Sequence, residues 1–120
     1  MTVVAYALAV VLNLFIVFIG ARFLLQPYVA AAGYGVPATQ DRAYLEIKGL
    51  RDASLGVIGL ALLVFAGAQA EAWFMLAATL IPLGDTLIVL RHGGARAVAF
   101  GIHFATAVVM LVSAGLLFAV

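Results

Sequence analysis

Asp85 stands in the stretch Ile81-Pro82-Leu83-Gly84-Asp85-Thr86, inside a hydrophobic run from Trp73 to Leu90. A carboxylate at the centre of a bilayer costs roughly 2.5 to 3.5 kcal/mol even on the milder, insertion-based scale. Other polar groups must offset that cost, and few are available. Lys48, Arg51 and Asp52 stand at the mouth of another apolar run, His103 lies inside a third, and Asn13 sits in the middle of the first. Depth can be read from a helical rise of ~1.5 Å per residue, measured from the arginine that ends each run. Asp85 then lies roughly 9 Å inside Arg91, His103 roughly 10 Å inside Arg96 and Asn13 roughly 13 Å inside Arg22. This shared depth predicts one polar layer.

Asp85 and His103 are the candidate catalytic pair, because a carboxylate beside an imidazole can set its tautomer and basicity. Asn13, Lys48, Arg51, Asp52 and His92 are the candidate ligand-binding residues, with the planar guanidinium of Arg51 suited to a carboxylate or enolate oxygen. Each has a plainer reading. Asp85 can form a structural ion pair with Arg51 or Lys48. Arg51 can snorkel at the boundary and His103 can bond a backbone carbonyl. His92, beside Gly93-Gly94, can cap a helix end. Asp85, His92 and His103 contain no tight ligand motif, so neither a metal nor a cofactor is expected.

The composition says which solvent these groups face. The 120 residues are 68% hydrophobic and 9% charged, with a net charge of +1 and no cysteine. Soluble domains carry about 25% charged residues. The expected solvent is lipid. The charge balance lacks the basic stripe of a nucleic-acid binder, and the absence of cysteine excludes disulfides and thiolate chemistry.

Four spans are expected, each near the ~20 residues a bilayer core requires: about 2–25, 40–68, 72–91 and 95–119. Gln26-Pro27 ends the first, because proline lacks an amide hydrogen and disfavours helix in the residue before it. Tyr28 to Ala32 is expected to form an interfacial turn broken by Gly33, Gly35 and Pro37. Tyr28 and Tyr34 then lie at headgroup level. Thr39 is expected to cap the second helix, with Asp41 in its first turn. Gln69-Ala70-Glu71 reads as a short connection, and Pro82 should free a carbonyl near Ala78 that Thr79 or Thr86 can approach. Gly56, Gly59 and Gly67 on helix two suit close helix contact and a homodimer. All six basic side chains flank the first and third connections. The positive-inside rule therefore puts those connections in the cytoplasm and both termini outside, in a multi-pass protein expected in a bacterial inner membrane.

Several short motifs stand along the chain: Gly20-Ala21-Arg22-Phe23, Gly33-Tyr34-Gly35-Val36-Pro37, Lys48-Gly49-Leu50-Arg51-Asp52, Pro82-Leu83-Gly84-Asp85, His92-Gly93 and Gly101-Ile102-His103. With them the chain resembles a family of small bacterial and fungal four-helix membrane proteins, catalogued as domain of unknown function 4267. The resemblance implies four spans and places these polar motifs in the family pattern. It implies no activity.

The expected fold is all-α, an up-and-down bundle of four transmembrane helices. The leading functional expectation is a polar pocket near the cytoplasmic side. It would bind a small lipophilic molecule with a carbonyl or carboxyl head, with isomerase- or cyclase-like acid/base chemistry open to Asp85 and His103. The alternatives are a proton-coupled small transporter and a structural membrane subunit for which the polar layer is glue.

Overall fold

The computed structural model describes residues 1–120. It is all-α, with five helices: α1 (Thr2–Leu25), α2 (Pro27–Tyr34), α3 (Arg42–Phe65), α4 (Ala68–Arg91) and α5 (Arg96–Phe118). Of these, α1, α4 and α5 are long and apolar enough to cross a membrane. The fourth long helix, α3, carries Arg42, Glu46, Lys48, Arg51 and Asp52 in its first half. Its uncharged part, residues 53–65, spans only about 20 Å, against roughly 30 Å for a hydrocarbon core.

A single apolar cluster gives the directions of the long helices. It joins Ala5 and Ala9 near the start of α1, Leu63 near the end of α3, Ala72 near the start of α4 and Leu117 at the end of α5. The four therefore alternate up and down. α1 packs chiefly on α3, and the first half of α4 packs on the second half of α5.

Glycine sets the α1–α3 distance. Gly49, Asp52, Gly56, Gly59 and Leu63 form the buried stripe of α3, spaced three and four residues apart on one helix face. A side-chain carbon at Gly49 would lie 2.7 Å from the carbonyl oxygen of Gly20, and one at Gly59 would overlap the Asn13 side chain. Gly56 and Gly59, expected to serve a homodimer, are thus taken up inside the chain, and a second copy would have to dock elsewhere.

Local chemistry shifted several expected boundaries. Pro27 opens α2 at a position where its missing N–H costs nothing, and Gly33 lies within the helix. Gly35 ends α2 with a left-handed φ of 100°, its N–H bonded to the carbonyls of Ala31 and Ala32. The expected interfacial turn is therefore an eight-residue helix. At the next start Asp41, not Thr39, precedes the helix, with φ 64° and no side-chain capping bond. Aspartate tolerates that conformation better than most residues. The turn between α3 and α4 is Ala66-Gly67, with Gly67 at φ 94°, so Gln69, Ala70 and Glu71 already belong to α4.

Within α4 the Thr79 and Thr86 hydroxyls do not serve Ala78. They donate to the carbonyls of Met75 at 2.8 Å and Pro82 at 2.7 Å. Residues Ala99–Phe104 of α5 are wound as a π-helix, a form found mostly as single-turn bulges and frequently at functional sites. His103 is in that segment.

Candidate functional site

Tyr34, the last residue of α2, is the hub of the polar cluster. Its hydroxyl donates to Oδ2 of Asp85 on α4. Its backbone carbonyl accepts a 2.7 Å bond from Nε2 of His103 on α5. A carbonyl oxygen can only accept, so Nε2 carries a hydrogen, and in the neutral ring Nδ1 is then the acceptor. The two rings also lie against each other, with centroids 4.2 Å apart. Phe23 of α1 meets the Tyr34 ring edge-on at 5.5 Å. The ammonium of Lys48 completes the group from α3, 4.1 Å from the Tyr34 ring centroid and 4.5 Å from that of Phe23. Cation–π contacts at this range contribute about 0.5 to 2 kcal/mol, the larger figure applying where water is excluded. Lys48 is also bonded to Oδ2 of buried Asp52 at 2.6 Å.

The fold explains why these side chains meet. α2 returns along α1 through Ala30 and Ala31, which pack with Phe23 in a small apolar cluster. The left-handed turn at Gly35 then takes the chain away, and a side-chain carbon there would press on Val89 and Val98. Tyr34 is held between α1, α3, α4 and α5 as a result. Burial, followed by the neighbouring Asp85 carboxylate, holds its hydroxyl well above the usual tyrosine range. The hydroxyl therefore stays protonated and remains a donor.

A cavity of about 440 Å³ runs inward from this cluster, between the α1–α3 pair and the α4–α5 hairpin. Asp85, His103, Tyr34, Asp52 and Arg22 line its polar end, while Phe74, Met75 and Met110 line its apolar end, where Asn13 is the polar exception. Ligand pockets measure about 300 to 1,000 Å³ and combine apolar walls with a few convergent polar groups. This cavity meets both conditions.

Most of the residues named from sequence converge here. Asp85 and His103 meet through Tyr34, and Lys48 and Asp52 stand beside them. Three do not converge. Asn13, expected in the same layer, lines the far end of the cavity and bonds Glu71 there. Arg51 is exposed, turned about 100° from the buried stripe of α3, and makes no bond to Asp85. His92 is exposed, with Nδ1 3.0 Å from the carbonyl oxygen of Ile88 in its own helix, the local arrangement of a cap. The alternative reading of Asp85, an ion pair with Arg51 or Lys48, does not occur: Asp85 accepts from the Tyr34 hydroxyl, and Lys48 pairs with Asp52. No group of three or more metal-ligating side chains occurs.

Tyr34, expected at the headgroup level, stands at the centre of the site, and Phe23 and Arg22, which the spacing does not single out, join it. The signal for all three lay in the motifs Gly20-Ala21-Arg22-Phe23 and Gly33-Tyr34-Gly35, whose glycines mark close approach and a left-handed turn.

A family model described as Domain of unknown function (DUF4267) matches residues 13–117. No curated protein and no solved structure shows a match.

Proposed function

Since the chain belongs to the DUF4267 family, whose description carries no activity, we propose its function from the site alone. It is an integral membrane protein that binds a small lipophilic molecule in the cavity, with the polar head at Asp85, Tyr34 and His103 and the tail toward Met75 and Met110. All four long helices cross the bilayer, α3 with Arg42 and Glu46 level with the headgroups and Lys48, Arg51 and Asp52 just inside the hydrocarbon region. The basic connections, including α2, face the cytoplasm and both termini face outward. Exposed Arg51 fits this placement, its apolar stem along lipid and its guanidinium at the headgroups.

The observation that carries the reading is an apolar cavity ending on a carboxylate, a phenol and an imidazole contributed by three helices. The free acceptors there are Asp85 Oδ1 and His103 Nδ1, and the protonated Tyr34 hydroxyl adjoins the first. A ligand with an acidic C–H or O–H beside its head can lose a proton to one acceptor and regain it elsewhere. This suits isomerisation or cyclisation without a cofactor.

The test is mass spectrometry of the protein purified in mild detergent. One predominant small amphiphile is expected to co-purify with the wild-type chain and to fall at least about tenfold in Asp85→Asn, a loss of ~1.4 kcal/mol. Ordinary phospholipid in equal amounts from both proteins would contradict the reading and favour a structural role for the polar layer.

A further inference from the structure

A second carboxyl group lies at the other end of the bundle. Glu71, in the first turn of α4, is 0% exposed. Its Oε1 accepts one bond, 2.9 Å, from Nδ2 of Asn13 on α1, and its Oε2 has no partner. Asn13 spends its other amide hydrogen on the carbonyl of Ala9, also at 2.9 Å. Ser113 of α5, likewise 0% exposed, has a hydroxyl oxygen with no partner. These two atoms are the buried side-chain polar atoms left unsatisfied in the whole molecule. They belong to helix halves that pack on each other.

No positive charge is placed to balance a carboxylate here. The cations of α1 and α5, Arg22 and Arg96, lie at the opposite end of the bundle, as does His103. The nearest charged side chain along α3 is Asp52, also toward that end, and the N-terminal Met1 is exposed. The N-terminus of α4 favours negative charge, but a helix dipole offsets only a fraction of the cost of taking a carboxylate out of water. A neutral amide donor to one oxygen does not make up the difference.

We propose that Glu71 is a proton-binding site, held as the neutral carboxylic acid with its proton on Oε2. Asn13 sits between this acid and the cavity, because its side chain both bonds Glu71 and lines the cavity's far end. The bundle thus has an acid at each end of one cavity: Asp85 beside Tyr34 and Glu71 behind Asn13. The protonation of Glu71 does not depend on a ligand in the cavity.

The chain has two glutamates, Glu46 and Glu71. Infrared spectra of a Glu46→Gln protein labelled with carboxyl-¹³C glutamate therefore report Glu71 alone. The isotope-shifted band is expected in the carboxylic-acid carbonyl region at pH 7, with the acid exceeding the carboxylate by at least about tenfold, where a free glutamate (pKa ~4.3) is almost wholly ionised. An isotope-shifted carboxylate pair at pH 7 would overturn the proposal. Glu46 is partly exposed and lies outside the buried stripe of α3, so the substitution leaves the bundle intact. A Glu71→Gln difference spectrum on the unlabelled chain gives the same answer: loss of an acid band supports the proposal, and loss of carboxylate bands contradicts it.

Discussion

Replacing Tyr34 by phenylalanine is expected to empty the cavity of its amphiphile and to loosen the inner end of the bundle together. The ring contacts to Phe23, His103 and Lys48 survive the substitution, since they need only the aromatic face. What disappears is the donor to Asp85. Leaving a largely buried acceptor without its donor costs about 1 to 3 kcal/mol, more where the acceptor is charged. The companion substitution Asp85→Asn separates two effects, because an asparagine oxygen still accepts from Tyr34 but no longer serves as a base. Thermal unfolding and retained ligand, measured on both variants, should therefore diverge. Tyr34→Phe loses stability and ligand, whereas Asp85→Asn loses ligand with little change in unfolding temperature. Equal ligand retention in wild type and both variants would remove the polar cluster from any account of binding.

The second large effect concerns glycine. Gly20→Leu is expected to abolish or severely destabilise the folded bundle. A carbon added at Gly20 meets the backbone of Gly49 and Ala53, the latter's Cα at 2.9 Å, and backbone cannot rotate aside as a side chain can. Forcing extra carbon into a packed contact costs typically about 1 to 3 kcal/mol, and a contact between two helix backbones has no room in which to relax. By contrast, a carbon added at Gly101 or Gly115 of α5 meets nothing within 4 Å. Gly101→Ala and Gly115→Ala should be neutral or stabilising by about 0.5 to 1 kcal/mol, the usual gain of alanine over glycine in a helix interior. Unfolding temperatures in one detergent give the comparison directly. A Gly20→Leu protein as stable as Gly101→Ala would mean that α1 and α3 do not pack as described.

The same glycines show how much of the structure could be read in advance. α1 was legible because its apolar run ends at Gln26-Pro27, a chemical stop. The convergence of Asp85 and His103 was legible because depth along a helix follows from residue count alone. Facing direction was harder. Tyr44, Lys48, Arg51 and Asp52 cluster within half a helical turn, and no rule of spacing says where within that arc the buried edge falls. The stripe Gly49, Asp52, Gly56, Gly59 would have placed it, leaving Arg51 one residue and about 100° outside. Tyr34 was missed because its position depends on a tertiary event, the return of α2 along α1. The alanines and glycines of that segment carry almost no periodic signal. Glu71 was missed because three polar or small residues after Gly67 read as a turn, while the structure makes the turn from Ala66-Gly67 itself.

The central claim is that the interhelical cavity, and not the lipid-facing surface, holds the ligand's tail. A single-chain amphiphile with a photoreactive diazirine at the end of its tail tests it most directly, with the adducts mapped by proteolysis and mass spectrometry. The cavity reading predicts adducts on Met75 and Met110, abolished by excess unlabelled amphiphile and lost in Tyr34→Phe. Adducts on outward-facing Phe65, Leu80 and Val64, unaffected by competitor and unchanged in the variant, would contradict it.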